Sequence, residues 1–285
     1  MSRPLRLELS GALYHVMARG NAKQAIYLDD QDRCFFLESL WNISERLDWQ
    51  VWAYCLMNNH YHLLLQTAQP TLARGMRDLN GVHSRTFNQR HDRVGHLFQG
   101  RYKSVIVDKS SYLMEVTRYI VLNPVRSGLC AAPEEWRWSS YRAAAGLAHA
   151  PARLAARAAL APFGADSEQT RGAFVEFVRA GLTASDPVTG HRVPAILGDD
   201  AFVAEVAQST APPSPEVPRV DRAWKPLEQY AREATSRNQA IRAAYATGHY
   251  SQADIARYFR LHYSSVSRVV GNSSFRRAAI QDLTP

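Results

Sequence analysis

Cysteine and long apolar runs are both scarce in this chain. Its 285 residues include three cysteines, Cys34, Cys55 and Cys130, an odd number without the paired spacing of a metal site. They predict buried thiols in a reducing compartment rather than a disulfide framework. No window approaches the run of about 18 apolar residues that a membrane-spanning helix needs, and the opening MSRPLRLELSG lacks the apolar run of a signal peptide. We therefore expect a cytoplasmic protein.

Negative charge is also in deficit. The chain has 34 basic and 26 acidic residues, a formal net charge of +8, and 30 of the basic residues are arginine. Residues 74–126 contain ten basic and four acidic side chains, residues 225–285 contain nine and four, and residues 151–224 contain seven and nine. A codon bias toward arginine is one explanation. The concentration of charge in two blocks favours two modules that face nucleic acid, and hence association with the nucleoid.

The apolar periodicity predicts a compact α+β domain in the first 125 residues. Two spacings alternate, the period of two of a half-buried strand and the three-to-four spacing of an amphipathic helix. The predicted strands are Ala12–Gly20, QVWAYCLM, HYHLLLQT and RYKSVIVD, the middle two joined by a hairpin at Asn58-Asn59. The predicted helices are one capped by Asp29 or Asp30, one at about Thr71–Gln89, and one that begins after Lys109 and ends at Pro124. This order predicts a central antiparallel sheet with helices on one or both faces.

The composition divides the whole chain into three parts. We predict a first domain at residues 1–150, a helical region with a proline-rich linker at 151–224, and a small helical domain at 225–285. The linker is APPSPEVPRV, which contains four prolines.

The stretch CLMNNHYHLLLQT places two histidines at the start of a strand. Residues i and i+2 of a strand face the same side, so His60 and His62 stand together while Tyr61 faces the opposite layer. Two neutral imidazoles at this spacing can share one divalent ion. An incidental pair of histidines is the alternative.

The last predicted helix brings a second pair of polar groups toward the sheet. Tyr119 and Asn123 are i, i+4 neighbours beside the buried stripe of that helix. An amide oxygen is a reasonable third ligand for Mg²⁺ or Mn²⁺. The alternative is an ordinary half-buried tyrosine followed by a helix-capping asparagine.

These motifs together resemble a known family. NNHYHLLL, HLFQGRYKSVIVD and RYIVLNPVRSGL followed by PEEWRWSSY resemble the HUH-type single-tyrosine transposases of the IS200-like class, and more narrowly the REP-associated tyrosine transposases. The segment HVMARGNAKQAIYLDD fits the same family, and the resemblance covers about residues 8–145. It implies a ferredoxin-like HUH domain.

The resemblance also implies a reaction. His60 and His62 would be the metal ligands, Asn123 would complete the site, and Tyr119 would be the nucleophile. Many related enzymes have glutamine where this chain has Asn123. The implied cofactor is Mg²⁺ or Mn²⁺, and the implied substrate is single-stranded or hairpin DNA of repetitive palindromes. Whether a homodimer assembles the site is left open.

Several basic residues near these motifs are candidates for DNA contact. Beside a phosphodiester site we favour phosphate binding over a merely solvated helix face. The candidates are Arg74, Arg77, Arg85, Arg90, Arg93, Arg101, Lys103 and Arg126. For His83, His91 and His96 we expect surface or loop positions rather than metal ligation.

The C-terminal segment SQADIARYFRLHYSSVSRVV predicts a helix-turn-helix. Ser251 would cap the first helix, Ile255, Ala256 and Val266 would lie inside, and Arg260 stands where such turns usually have glycine. The recognition helix would present Tyr263, Ser264, Ser265, Ser267 and Arg268 to DNA. A helical hairpin with a purely structural role is the alternative.

Three functions remain distinguishable from the sequence. The first is a metal-dependent DNA endonuclease and strand transferase. The second is a DNA-binding regulator that descends from such an enzyme and no longer cleaves. A replication-initiator nuclease is the third, and it is less favoured because the local motifs match the transposase branch.

Overall fold

A computed structural model describes residues 7–165, 167–182, 195–210, 225–246, 250 and 252–271. The predicted linker at 211–220 and the predicted cap Ser251 lie outside these ranges. The chain divides into two compact units, Met1–Pro212 and Pro213–Pro285.

The first part of unit one alternates strands and helices in the predicted order. The elements are β1 Leu13–Arg19, α1 Asp30–Leu47, β2 Trp49–Leu56, β3 His60–Thr67, α2 Leu72–Arg90, β4 Lys103–Val107 and α3 Lys109–Arg126. They are followed by α4 Tyr141–Ala144, α5 Ala156–Ala159, α6 Glu168–Ala180, β5 Ile196–Leu197 and α7 Asp200–Thr210. Unit two contains α8 Leu227–Glu233, α9 Arg237–Ala246, α10 Gln252–Tyr258 and α11 Tyr263–Gly271.

The central sheet has the strand order β2-β3-β1-β4-β5. The first four strands are antiparallel to their neighbours, and β5 pairs in parallel with β4. A β-α-β-β-α-β succession with this order is the split βαβ arrangement of ferredoxin-like folds. The predicted α+β fold with a central antiparallel sheet is confirmed, and the short parallel strand β5 is an addition that the sequence did not predict.

The two faces of the sheet carry different helices. Tyr14, Val16, Tyr61, Leu63 and Leu65 belong to one core together with apolar residues of α1 and α2. The other face contributes Leu13, Leu64, Val105 and Val107 to a second core with Leu113, Val116 and Ile120 of α3. The strict alternation of β1 and β3 therefore separates the layers, and α3 alone of these three helices lies on the face that carries His60 and His62.

Helix α3 extends further than the sequence predicts. It continues through Pro124 to Arg126, so the predicted end at Pro124 is wrong. Gly128, two residues after the end of the helix, has a φ of +68°, which lets Gly128 N donate to Val125 O at 2.9 Å and Leu129 N donate to Pro124 O at 2.9 Å. This is a Schellman motif. Packing of α3 on two sides outweighs the one backbone hydrogen bond that proline removes.

The second side of α3 packs against the chain beyond residue 140. Val121 and Leu122 share a third core with Tyr141, Phe174 and Val178. The Arg118 guanidinium lies 4.4 Å from the centre of the Phe177 ring. The predicted boundary at residue 150 stays a prediction, yet residues well past it hold the helix in place.

Both outer strands of the four-stranded antiparallel part of the sheet, β2 and β4, have further backbone partners. Strand β5 pairs along β4 through Ile106 and Val107. On the other side, β2 is bridged by Leu154 at Val51 and by Ser139 at Cys55. Each edge is thus covered by a segment that follows α3 in sequence.

Unit two has its own small core. Ile241, Ala244, Ile255, Ala256 and Val266 are buried together. Helices α10 and α11 are joined at Arg260, which adopts a φ of +52°, so the turn is built on a non-glycine residue in a left-handed conformation. The described geometry contains the two predicted helices, and their role as a helix-turn-helix domain stays a prediction.

Two smaller expectations concern membrane-spanning helices and the cysteines. No described helix combines the length and apolarity needed to cross a membrane. All three cysteines are free, but only Cys55 is buried, while Cys34 and Cys130 are partly exposed. The prediction of buried thiols is correct for Cys55 alone.

Candidate active site

The pairing of β1 with β3 creates a polar patch at one end of the sheet. Met17 lies opposite His62 and Arg19 lies opposite His60 in an antiparallel register. Directly paired residues share a face, so Met17 and Arg19 join the two histidines on the α3 side. His15, two residues before Met17, lies on that face too.

His60 is oriented by the residue before it. The ring atom Nδ1 of His60 lies 2.8 Å from Oδ1 of Asn59, and Nδ2 of Asn59 donates to the carbonyl of Lys23 at 2.9 Å. Because Oδ1 can only accept, Nδ1 of His60 carries the proton and Nε2 keeps its lone pair. Burial, with a smaller effect of the Arg19 cation, lowers the pKa of His60 to about 4.

His62 is almost fully buried and contacts another histidine. Its Nδ1 lies 2.9 Å from Nε2 of His15, and the two rings stack with their centres 5.2 Å apart. Burial is the main cause that holds the pKa of His62 well below its usual value, with smaller effects of His15, His60 and Arg19. Both predicted metal histidines are therefore neutral imidazoles at pH 7.

Helix α3 brings three more predicted residues to this patch. The Tyr119 ring lies edge-on to the His62 ring, with centres 5.8 Å apart. Asn123 Nδ2 donates to the Tyr119 carbonyl at 2.8 Å, and the Arg126 guanidinium lies 5.6 Å from the centre of the Tyr119 ring. Since α3 continues past Pro124, Tyr119, Asn123 and Arg126 stay on one helix.

These groups open into a cleft with a volume of about 520 Å³. Arg19, Arg101 and Lys103 line it as exposed cations, and among the described lining residues there is no carboxylate. The lining residues are Met17, Ala18, Arg19, His60, His62, Gln99, Arg101, Lys103, Tyr119, Asn123 and Ser127. A cationic cleft of this kind attracts phosphate.

The donor set fits a divalent cation. His60 offers Nε2, His62 has Nδ1 engaged by His15 and so could bind a cation only through Nε2, and Asn123 has its amide nitrogen bonded to backbone and so offers Oδ1. Neutral imidazole and amide oxygen are ligands that Mn²⁺ and Mg²⁺ accept.

Another group of possible ligands lies elsewhere. Asp29, Asp32 and His91 have ligand atoms within 4.8 Å of one another. Arg90 already donates to Asp29 at 2.9 Å and pairs with Asp32, while Asp29 also caps α1 by accepting from Asp32 N. This cluster is a neutralised ion-pair network at the start of α1, and it takes no part in the cleft.

Some predicted DNA-contact residues do not line the cleft. Arg74, Arg77 and Arg85 lie on α2, which packs against the sheet face opposite His60 and His62. Arg93 donates to the Gln24 side chain at 2.7 Å. Contact of these residues with DNA stays a prediction, and it would require a strand that runs beyond the cleft.

The expectation for His83 is wrong. His83 is buried inside the α1–α2 core, where Nε2 lies 2.8 Å from the Ile26 carbonyl. His91 lies in the turn that follows α2, as expected, and is partly buried with Nε2 2.9 Å from Oδ2 of Asp32. His96 is exposed, as expected.

Sequence reasoning missed four residues of the site: His15, Arg19, Asn59 and Gln99. The alternation of β1 already placed His15 and Arg19 on one face, but only the register with β3 shows which residues they meet. Gln99 reaches the cleft because its backbone N donates to the Arg19 carbonyl at 2.8 Å, a contact without a sequence signal.

In unit two, the predicted recognition residues lie on or beside α11. Tyr263 is 56% exposed, Ser264 and Arg268 are exposed, and Ser265 and Ser267 are partly exposed. Ser264 N donates to Nδ1 of His262 at 3.3 Å, which caps the start of the helix.

Comparison with known proteins gives one family match. Residues 8–123 match the model of the family described as transposase IS200 like. No protein with a curated description matches the chain.

Two solved structures are similar to part of the chain. One is described as the REP-associated tyrosine transposase bound to a REP hairpin; it is 14% identical, with a TM-score of 0.45, and the match covers 54% of this chain and 90% of that one. The other is a putative transposase from Deinococcus radiodurans R1; it is 19% identical, with a TM-score of 0.30, and the match covers 42% of this chain and 95% of that one.

Proposed function

We propose that the chain, whose residues 8–123 match the IS200-like transposase family, cleaves and rejoins single-stranded or hairpin DNA by way of a covalent bond to Tyr119. The observation that carries the proposal is the contact between Tyr119 and His62 inside one cation-lined cleft of a single chain. A protein that only binds DNA has no use for a tyrosine held against one of two neutral, metal-competent histidines in the same cleft.

The first step is attack by the tyrosine on the scissile phosphate. The Tyr119 oxygen forms a bond to phosphorus, the bond from phosphorus to the 3′ oxygen breaks, and the tyrosine proton leaves to solvent while the 3′ oxygen gains one. The product is a 5′-phosphotyrosine and a free 3′ hydroxyl. Attack by a 3′ hydroxyl in the reverse direction releases Tyr119 and rejoins DNA, so the phosphodiester bond energy is kept.

The cleft residues stabilise charge in this step. Arg126 beside the Tyr119 ring can face the phosphate that Tyr119 attacks, and Arg19, Arg101 and Lys103 can neutralise the flanking phosphates. His60, His62 and Asn123 would hold a divalent cation. That cation would act as a Lewis acid on the scissile phosphate.

The substrate proposal rests on the family motifs and on the charge of the cleft. NNHYHLLL and the segment from RYIVLNPVRSGL to PEEWRWSSY favour the REP-associated branch, and so palindromic DNA that folds into hairpins. For unit two we propose binding to duplex or hairpin stem through Tyr263, Ser264, Ser265, Ser267 and Arg268 of α11.

The test is the covalent adduct itself. Wild-type protein incubated with Mn²⁺ and a 3′-labelled hairpin oligonucleotide should give a labelled adduct that survives denaturing electrophoresis, whereas a 5′ label should leave with the fragment that ends in the 3′ hydroxyl. Tyr119→Phe should reduce the adduct to background and leave the mobility shift of the non-covalent complex intact.

Tyr112→Phe is the matched control, because Tyr112 is a partly buried tyrosine on the same helix. It should form adduct at the wild-type level. An adduct that persists in Tyr119→Phe would show another nucleophile. A mobility shift without any adduct in wild type would instead favour the regulator that no longer cleaves.

A further inference from the structure

His15 is a histidine in a position built for an apolar side chain. It lies on the central strand β1, paired with Leu64 on one side and with Val105 on the other, and its exposed fraction is 0%. A buried polar ring without a role costs stability. The structure places the Nε2 atom of this ring 2.9 Å from Nδ1 of His62.

A hydrogen bond between two neutral imidazoles has two arrangements. In one, His62 Nδ1–H donates to His15 Nε2, and His62 keeps its lone pair on Nε2. In the other, His15 Nε2–H donates to His62 Nδ1, and the proton of His62 then resides on Nε2. Only the first leaves His62 a free nitrogen that can bind a cation.

His60 makes a similar hydrogen bond through Nδ1, and there the donor can be assigned. His60 Nδ1 must donate to Asn59 Oδ1, because the Asn59 amide nitrogen is already bonded to the Lys23 carbonyl. His60 therefore keeps its lone pair on Nε2. Histidines that bind metals in general donate their second N–H to a neighbouring acceptor, which fixes both tautomer and ring orientation.

We infer that His15 is a positioning residue that accepts a hydrogen bond from His62 Nδ1–H and so holds the Nε2 lone pair of His62 ready for a divalent cation. The inference rests on the proposed function for the identity of the ligand, but the tautomer it assigns is a property of the protein alone. His15 also lies edge-on to Tyr119, with ring centres 5.9 Å apart, so one ring touches both a proposed ligand and the proposed nucleophile.

The first experiment needs neither metal nor a variant. Long-range ¹H–¹⁵N correlation spectra of the metal-free, ¹⁵N-labelled full chain at pH 7.5 distinguish the two tautomers by the shifts of the ring nitrogens. We expect His62 to carry its proton on Nδ1. A proton on Nε2 of His62 would overturn the inference.

The second experiment measures cation affinity with matched variants. His15→Leu removes the acceptor at similar volume, whereas His15→Gln places an amide oxygen about as far from the backbone as Nε2. Mn²⁺ binding in the absence of DNA, followed by electron paramagnetic resonance, should weaken roughly 10- to 100-fold in His15→Leu and far less in His15→Gln. Equal weakening in both variants, or none in His15→Leu, would contradict the positioning role.

The experiments distinguish a wrong role for His15 from a wrong proposed function. Wild type that binds Mn²⁺ and forms the DNA adduct while His15→Leu binds Mn²⁺ equally well overturns only the role of His15. Wild type that forms no adduct overturns the proposed function, and the tautomer spectrum still decides the direction of the hydrogen bond. Thermal unfolding without metal identifies a variant that fails to fold, and in that case the wild-type spectrum gives the answer.

Discussion

His83 is a titratable group enclosed by the first core, away from the cleft. Its ring packs against Tyr27, Phe36 and Phe87, and its Nε2–H donates to the Ile26 carbonyl. Burial, only partly offset by the hydrogen bond to Ile26 and by Asp32, lowers the pKa of His83 to about 4. The folded state thus holds His83 neutral where the unfolded chain would already protonate it.

The consequence is a loss of stability in acid. Above pH 6.5 both states hold neutral His83 and the residue adds no pH dependence. Between that value and the pKa of the folded state, His83 is protonated in the unfolded state but neutral in the folded state, so the free energy of unfolding falls as the pH falls. Between pH 7 and pH 5, wild type should lose about 2 kcal/mol more stability than His83→Gln, which keeps an N–H for Ile26 but does not titrate.

Urea denaturation of both proteins at several pH values checks this. Parallel dependences of the free energy of unfolding on pH would show that His83 does not account for the loss.

At the scale of single residues, the sequence predicts which side chains share a face within one strand or one helix, but not which residues of other elements they meet. The shared face of His60 and His62 follows from strand alternation, and Tyr119 with Asn123 follows from helical spacing. The partners His15 and Arg19 needed the β1–β3 register, which local sequence does not specify. The prediction for His83 was wrong because a histidine in a basic helix is expected at the surface. Most of the aromatic rings that enclose it are distant in sequence, so local sequence does not show that it is buried.

At the scale of elements, α3 depends on its C-terminal turn. Arg126 sits in the last turn, and the turn is closed by Gly128 in a left-handed conformation. An L-residue at this φ is disfavoured even though the space around Gly128 is open.

Gly128→Ala should therefore destabilise the protein by about 1 kcal/mol. The matched control is Gly172→Ala, because Gly172 is equally open but lies inside α6 with ordinary helical geometry. That change should stabilise by roughly 0.5–1 kcal/mol, since alanine is the better helix former. Denaturation midpoints of the two variants should move in opposite directions, and a shift of the same sign would contradict the role given to the left-handed turn.

The elements themselves were largely predictable, and Pro124 explains the main exception. Strands and helices of the first 125 residues have clear apolar periods and turn signals. The expected stop at Pro124 follows a real local bias of the residue before proline. Packing of Val121 and Leu122 on residues 141–178 outweighs this bias, so the helix continues through Pro124. These segments are too far apart in sequence for local patterns to predict the contact.

At the scale of the whole molecule, the two units have separate cores. The candidate site and the three cores around it lie within Met1–Pro212, whereas α9, α10 and α11 enclose their own core. A chain that ends at residue 212 should therefore keep adduct formation on a short hairpin and lose affinity for a longer stem.

Adduct yield and the salt dependence of binding, compared between the full chain and the shortened chain, test this. A folded 1–212 chain that forms no adduct would mean that unit two contributes to the cleft. A chain ended at Asn123, where the family match ends, should not fold stably, since it lacks the residues that cover α3 and both edges of the sheet.

The covered edge of β4 has a consequence for the order in which the protein is made. Its partner β5 follows about 90 residues later in the chain. At a synthesis rate of about 5–20 residues per second, β4 waits roughly 5 to 20 seconds before β5 exists. During that interval the nascent sheet presents a row of unsatisfied backbone groups to any strand nearby. Protection of this edge is thus an event late in translation, and it lies outside the segment that the family shares.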